Sequence, residues 1–260
     1  MPETSTGLVR TEQVMGTVIT VDVRDHGVGV EAIEGVLAWF RAVDGVFSTY
    51  RANSEVSRLD RGEIAEDQCS PDVREVLGLC AEVQRLSGGC FDIRAAGRLD
   101  PSGLVKGWSV ERAARVLNAA GARNFFIAAG GDVVARGRPA PGRHWRVGVR
   151  HPRFAERQAA VLSVADLAVA TSGAYERGPH ITDPRSGGAA VGLLSMTVVG
   201  PSLTYADAFA TAAFVMGEEG ARWVGGLAGY DALVITADHR TVWTPGLDAL
   251  LVRSKSVSVA

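Results

Sequence analysis

Eight runs rich in β-branched and apolar residues constrain this chain most strongly: TVITVDV, NFFIAAG, DVVARG, HWRVGVR, AVLSVA, LAVATS, LLSMTVVG and DALVITA. Such residues favour the pleated, half-buried surface of a sheet. Most of the runs sit in the second half in hairpin-like order, while helical patterns cluster early and between strands without a regular βαβ alternation. The expected fold is therefore α+β, with mostly antiparallel sheets packed against helices, and not a doubly wound parallel sheet. With 260 residues a sizeable core can be buried, and the chain reads as one domain over residues 1–260 with a helical section at about 29–90.

Helical periodicity is clearest in VEAIEGVLAWFRAVDGVF, where Ile33, Val36, Leu37, Phe40, Val43 and Phe47 share one face. A second helix follows Ser70 as N-cap and Pro71 as first residue, and Gly88 and Gly89 stop it. Two more are expected from about Gly107 to Ala120 and from about Ala206 to Met216. The stretch GRPAPGRHW reads as a surface loop between strands.

A formal charge of -2 with 22% charged residues shows no basic stripe or acidic tail, so nucleic acid and membrane surfaces are poor partners. No secretory signal and no run long enough to span a bilayer is visible, which places the expected protein in the cytoplasm. Cys69, Cys80 and Cys90 form neither a disulfide framework nor a metal pair and read as small buried hydrophobes in a reducing compartment.

Polar residues gather in glycine-rich turns. In SGGCFDIR the glycines end a helix and Asp92 caps a turn. In LDPSGLVKGWSVE, Asp100 to Gly103 make a turn and Lys106 stands near a helix start, as a snorkelling surface lysine or beside a bound anion. Gly130, Gly131 and Asp132 read as hairpin punctuation. The stretch ATSGAYERGPHITDPRSGG is crowded with hydrogen-bonding side chains, and His180 in it is the best general-base candidate. In YADAFATAAFVMG, Asp207 has two readings: it closes a capping box with Thr204, or it shares a helix face with Thr211 and offers hard oxygen donors for Mg2+. Thr211 could equally satisfy itself on its own helix backbone.

Taken together and in order, VMGTVITV, FSTYRANSEVSRLD, GGCFDIR, DPSGLVKGWSVE, FFIAAGGDVVARG, VGVRHP, ATSGAY, HITDPRSG and YADAFATAAFVMG resemble the ApbE-like flavin transferases, or FAD:protein FMN transferases. The resemblance implies a T-fold-related architecture and a reaction in which FMN passes from FAD to a Thr or Ser hydroxyl of a target protein, with release of AMP. It implies Mg2+ or Mn2+ held by Asp207, Thr211 and the Gly103 carbonyl. It implies FAD contacts at Met15, Tyr50, Cys90, Phe91, Asp92, Asp100, Lys106 and Ile181, with His180 as the base for the acceptor hydroxyl. The implied partners are FAD and a flavin-acceptor protein. A FAD pyrophosphatase, with water as nucleophile, and a non-catalytic flavin carrier remain alternatives. The chain departs from the pattern in keeping only AAGRL between FDIR and Asp100, in Pro101, in Cys90, and in Trp108 after the Lys-Gly pair.

Overall fold

A computed structural model describes residues 7–154, 156–173 and 181–252. In chain order its elements are β1 (Leu8–Val14), β2 (Thr17–Val23), α1 (Val30–Phe47), α2 (Glu55–Asp60), α3 (Pro71–Leu86), α4 (Ser102–Ala119), β3 (Phe125–Ala129) and β4 (Asp132–Arg136). These are followed by β5 (Trp145–Arg150), β6 (Gln158–Val164), β7 (Ala168–Gly173), β8 (Leu193–Gly200), α5 (Leu203–Met216), α6 (Glu219–Gly225), β9 (Asp231–Thr236) and β10 (Thr241–Trp243).

Every expected strand forms. Eight strands make one sheet in the order β1-β2-β3-β4-β7-β8-β9-β10, each neighbouring pair antiparallel, and β5 and β6 form a separate antiparallel pair. The fold is thus the expected mixed α+β with a mainly antiparallel sheet. Alternation along β9 explains how it is covered: Ala232 and Val234 enter the core beneath the helices, whereas Leu233 and Ile235 join Trp145, Val147 and Val149 on the other face. β8 lies between these layers and is buried almost throughout.

Four elements escaped the sequence reading, and each is short or polar. β1 is an edge strand with mostly exposed side chains, β10 has three residues, α2 six and α6 seven. Helical periodicity needs a longer window to register. Where it had that window, it held: α1 has the expected bounds, and α3 has Ser70 accepting from the Val73 N–H, Pro71 first, and positive φ at Gly88 and Gly89 beyond its end. The GRPAPGRHW stretch connects β4 to β5.

Two helices start earlier than expected, each for a visible reason. α4 begins at Ser102 because the Asp100 carboxylate accepts the Ser102 N–H at 3.1 Å and the Pro101 carbonyl accepts from Leu104 and Val105, so the turn is itself the first helical turn. Lys106 consequently lies in the second turn. α5 begins at Leu203 because Glu111, on α4, caps it from outside: the Glu111 carboxylate accepts from Ser202 Oγ at 2.6 Å, the Thr204 N–H at 3.0 Å and Thr204 Oγ1 at 2.9 Å.

The formal charge conceals a local excess. Arg146 and Arg150 alternate with the buried Val147 and Val149 along β5, and with Arg138, Arg143, Arg153 and Arg157 they are exposed, while Glu156 is the one acid between Val133 and Ala165. The expectation of no basic stripe fails here because whole-chain charge averages over position. Among the described residues no helix is long and apolar enough to cross a membrane, and all three cysteines are free and buried, with burial pushing the Cys80 thiol up to about 12.

Burial would raise the Glu111 carboxyl, but the hydrogen bonds from Ser202 and Thr204 outweigh it and hold the group below its ordinary value. A lowered carboxylate contributes stability above its unfolded pKa and loses it as pH falls through the folded value. Glu111→Ala is expected to cost about 2 kcal/mol at pH 7, the scale of hydrogen bonds to a charged group. The gap to wild type should narrow on acidification below pH ~4, and denaturant unfolding at pH 7 and at pH 3.5 checks both.

Candidate functional site

α4 and α5 cross where a side chain would not fit. A Cβ at Gly107 would stand 2.3 Å from the Leu203 carbonyl oxygen and 2.8 Å from Asp207 Cβ. Across this contact the Gly107 N–H donates to Asp207 Oδ2 at 2.9 Å. One turn earlier, a Cβ at Gly103 would lie 3.3 Å from the Phe91 ring and 3.5 Å from Thr211 Oγ1. The pair Gly103 and Gly107 therefore faces the pair Thr211 and Asp207, both at a spacing of four.

This excludes the capping-box reading of Asp207. Its carboxylate does not turn back to cap α5, a task taken by Glu111, but faces α4, with Oδ1 3.5 Å from Lys106 Nζ. Thr211 is likewise engaged away from its own helix: its Oγ1 shares a hydrogen bond with Ser172 Oγ on β7 at 3.2 Å.

Lys106 also meets a residue the sequence reading left as turn punctuation. Asp132 opens β4 directly after Gly130 and Gly131, whose positive φ values of 56° and 95° form the tight β3–β4 turn. It is fully buried, its Oδ2 lies 2.7 Å from Lys106 Nζ, and its Oδ1 accepts the Thr171 N–H at 3.0 Å. The available signal was position: the residue after a two-glycine turn starts an inward-facing strand. Burial is the main reason the Asp207 carboxyl is pushed up to about 7, with Lys106 and the Gly107 N–H acting to lower it and Asp132 to raise it.

Lys106, Asp207, Thr211 and Ser172 line a cavity of about 630 Å3, with Asp132 buried behind Lys106, and every expected site residue within the described residues lines the cavity. Met15 occupies the β1–β2 turn with a positive φ of 55°, and Ser109 Oγ points to its sulfur at 3.9 Å. Cys90 and Phe91 are buried, and Phe91 is fixed by its N–H donating to Ser87 Oγ. Asp92 and Asp100 accept the N–H groups two residues on, so both shape turns as well as wall. Ile181 is buried, whereas Tyr50 is 90% exposed at the mouth, with the Arg98 guanidinium 5.9 Å from its ring centre. The short AAGRL segment thus still supplies wall, through Ala95 and Ala96. Trp108 faces away from the cavity, packed against Trp39 and Phe47. His180 lies outside the described residues; Ile181, which follows it, lines the cavity.

Residues 15–97 and 94–234 match the model of the ApbE family. The chain belongs to the ApbE family. Among curated relatives, the FAD:protein FMN transferase of Klebsiella pneumoniae is 30% identical over 173 residues, covering 61% of this chain and 49% of the relative. That of Treponema pallidum is 33% identical over 173 residues, covering 59% of this chain and 48% of the relative. The ApbE chain therefore spans about half the length of the curated relatives it matches. Its fold is that of the flavin transferase ApbE from Vibrio cholerae, with a TM-score of 0.84 at 21% identity over 94% of this chain and 99% of that one. The ApbE protein of Thermotoga maritima gives 0.84 at 20% identity, over 95% of this chain and 100% of that one.

The two glycines of this ApbE chain should respond differently to alanine. Gly107→Ala is expected to cost about 1–3 kcal/mol, because the methyl meets backbone at the crossing. Gly103→Ala should cost less, because its methyl comes closest to the Phe91 ring, at 3.3 Å, and the helix-propensity gain of up to about 1 kcal/mol offsets that contact. Thermal or denaturant unfolding of the two variants distinguishes them.

Proposed function

We propose that this chain, acting as one ApbE-like domain, transfers FMN from FAD to a Thr or Ser hydroxyl of a target flavoprotein, releases AMP, and requires Mg2+ or Mn2+. The observation that carries the reading is the convergence of the expected positions, distant in sequence, on one cavity. Its volume of about 630 Å3 is that of a small-molecule site. The relatives named FAD:protein FMN transferase support the same activity.

The residues present suit a hard divalent cation. Among the described residues no three His, Cys, Asp or Glu side chains gather into a metal cluster, so a site here has to combine different oxygen donors. The buried Asp207 carboxylate, the Thr211 hydroxyl and the Gly103 carbonyl are such a set. The absence of a side chain at Gly103 lets its backbone approach Thr211, where a Cβ would lie 3.5 Å from Oγ1. Bound there, Mg2+ would neutralise charge on the FAD pyrophosphate.

The chain's own groups account for the rest. Lys106 brings an ammonium to the cavity where phosphate oxygens are to be held. Phe91, Val105 and Ile181 supply apolar wall, and Tyr50 offers an exposed aromatic face at the mouth. His180 takes the proton from the acceptor hydroxyl as its oxygen attacks the FMN-side phosphorus; the bond from that phosphorus to the bridging oxygen breaks, and AMP leaves.

Incubation with FAD and Mg2+, with and without a candidate acceptor, tests the reading through AMP release and acceptor mass. The expected result is acceptor-dependent AMP together with a product heavier by FMN. AMP without flavinylated product would identify a pyrophosphatase, and bound FAD with no AMP a carrier. Asp207→Ala is expected to abolish turnover with the fold retained. His180→Ala should keep FAD binding while slowing transfer about a hundredfold or more.

A further inference from the structure

We propose that Asp132 is a positioning residue that holds Lys106 away from Asp207 and so keeps Asp207 available to a cation. The role rests on the metal site proposed above and assigns a residue outside that ligand set. Lys106 Nζ stands between two buried carboxylates, 2.7 Å from Asp132 Oδ2 and 3.5 Å from Asp207 Oδ1. The nearer ion pair is the one with Asp132, and the ammonium stands farther from Asp207 Oδ1, whose other oxygen accepts the Gly107 N–H at 2.9 Å.

Asp132 is well placed to win this competition because it is immobile. It is fully buried, it begins a strand directly after the two-glycine turn, and its other oxygen is fixed by the Thr171 N–H at 3.0 Å. Lys106, by comparison, carries its ammonium on a four-carbon stem with a partly exposed side chain. An ammonium bonded directly to Asp207 would have to be displaced before a divalent ion could bind. With Asp132 present, Lys106 has a closer carboxylate, and its charge remains beside the cavity for phosphate. Without Asp132, the adjacent Asp207 becomes the buried carboxylate that Lys106 closes on.

The test is Mn2+ titration without FAD, following the free ion by electron paramagnetic resonance. Asp132→Asn, which keeps the side-chain volume and an acceptor for Thr171, is expected to weaken Mn2+ affinity about tenfold. The metal-free crystal structure of that variant should show Lys106 Nζ at direct hydrogen-bond distance from Asp207, about 2.8 Å. Adding Lys106→Met to Asp132→Asn should return the affinity close to the wild-type value. Asp132→Ser serves in the same titration should the Asn variant not fold. Unchanged affinity without Asp132 would overturn the role, as would weakened affinity with Lys106 unmoved, which would mean that charge alone matters. A wild-type protein that binds no Mn2+ would overturn the metal site itself.

Discussion

The approach of α4 to α5 at Gly107 sets the register of the whole site. Because no Cβ intervenes, the helices lie close enough for a backbone N–H of one to reach a carboxylate of the other. Three successive turns of α4 then meet α5 in reverse order: Gly103 beside Thr211, Gly107 against Leu203 and Asp207, and Glu111 on Ser202 and Thr204. A displacement by one turn would break all three contacts together. The glycine that allows close packing, the carboxylate that caps α5 and the oxygen donors of the proposed cation site are therefore parts of one interface.

That interface places charge where burial disfavours it. Asp207 and Asp132 are both buried and share Lys106 as an ion-pair partner. Charged groups are kept in such places when they are paired or when they serve a site. Here the pairing crosses two layers, because Asp207 and Lys106 come from helices while Asp132 and Ser172 come from the sheet beneath. The sheet can present these polar groups upward because its opposite face is covered separately by β5 and β6.

How much of this was legible depended on the range of the interaction. The strand runs, the α1 periodicity and the α3 caps are local, since β-branched content, a 3.6-residue repeat, a serine before proline and paired glycines act within a few residues. Each became the expected element. The starts of α4 and α5 were misjudged. For α5 the deciding group, Glu111, is 93 residues from Thr204 in sequence and has no local motif that announces it. Asp132 was read as hairpin punctuation for the same reason: its Lys106 partner belongs to another element.

The sequence by itself determined the fold class, the family and the residue types available for chemistry, because these rest on periodicity, turn residues and ordered motifs that are written along the chain. Tertiary structure alone decided what the residues face. The same Asp207 could cap its own helix or turn across to α4, and Thr211 could bond its own backbone or reach β7. Both questions were settled by a glycine on a different helix that brings the two elements into contact, and by a glutamate that takes over the cap.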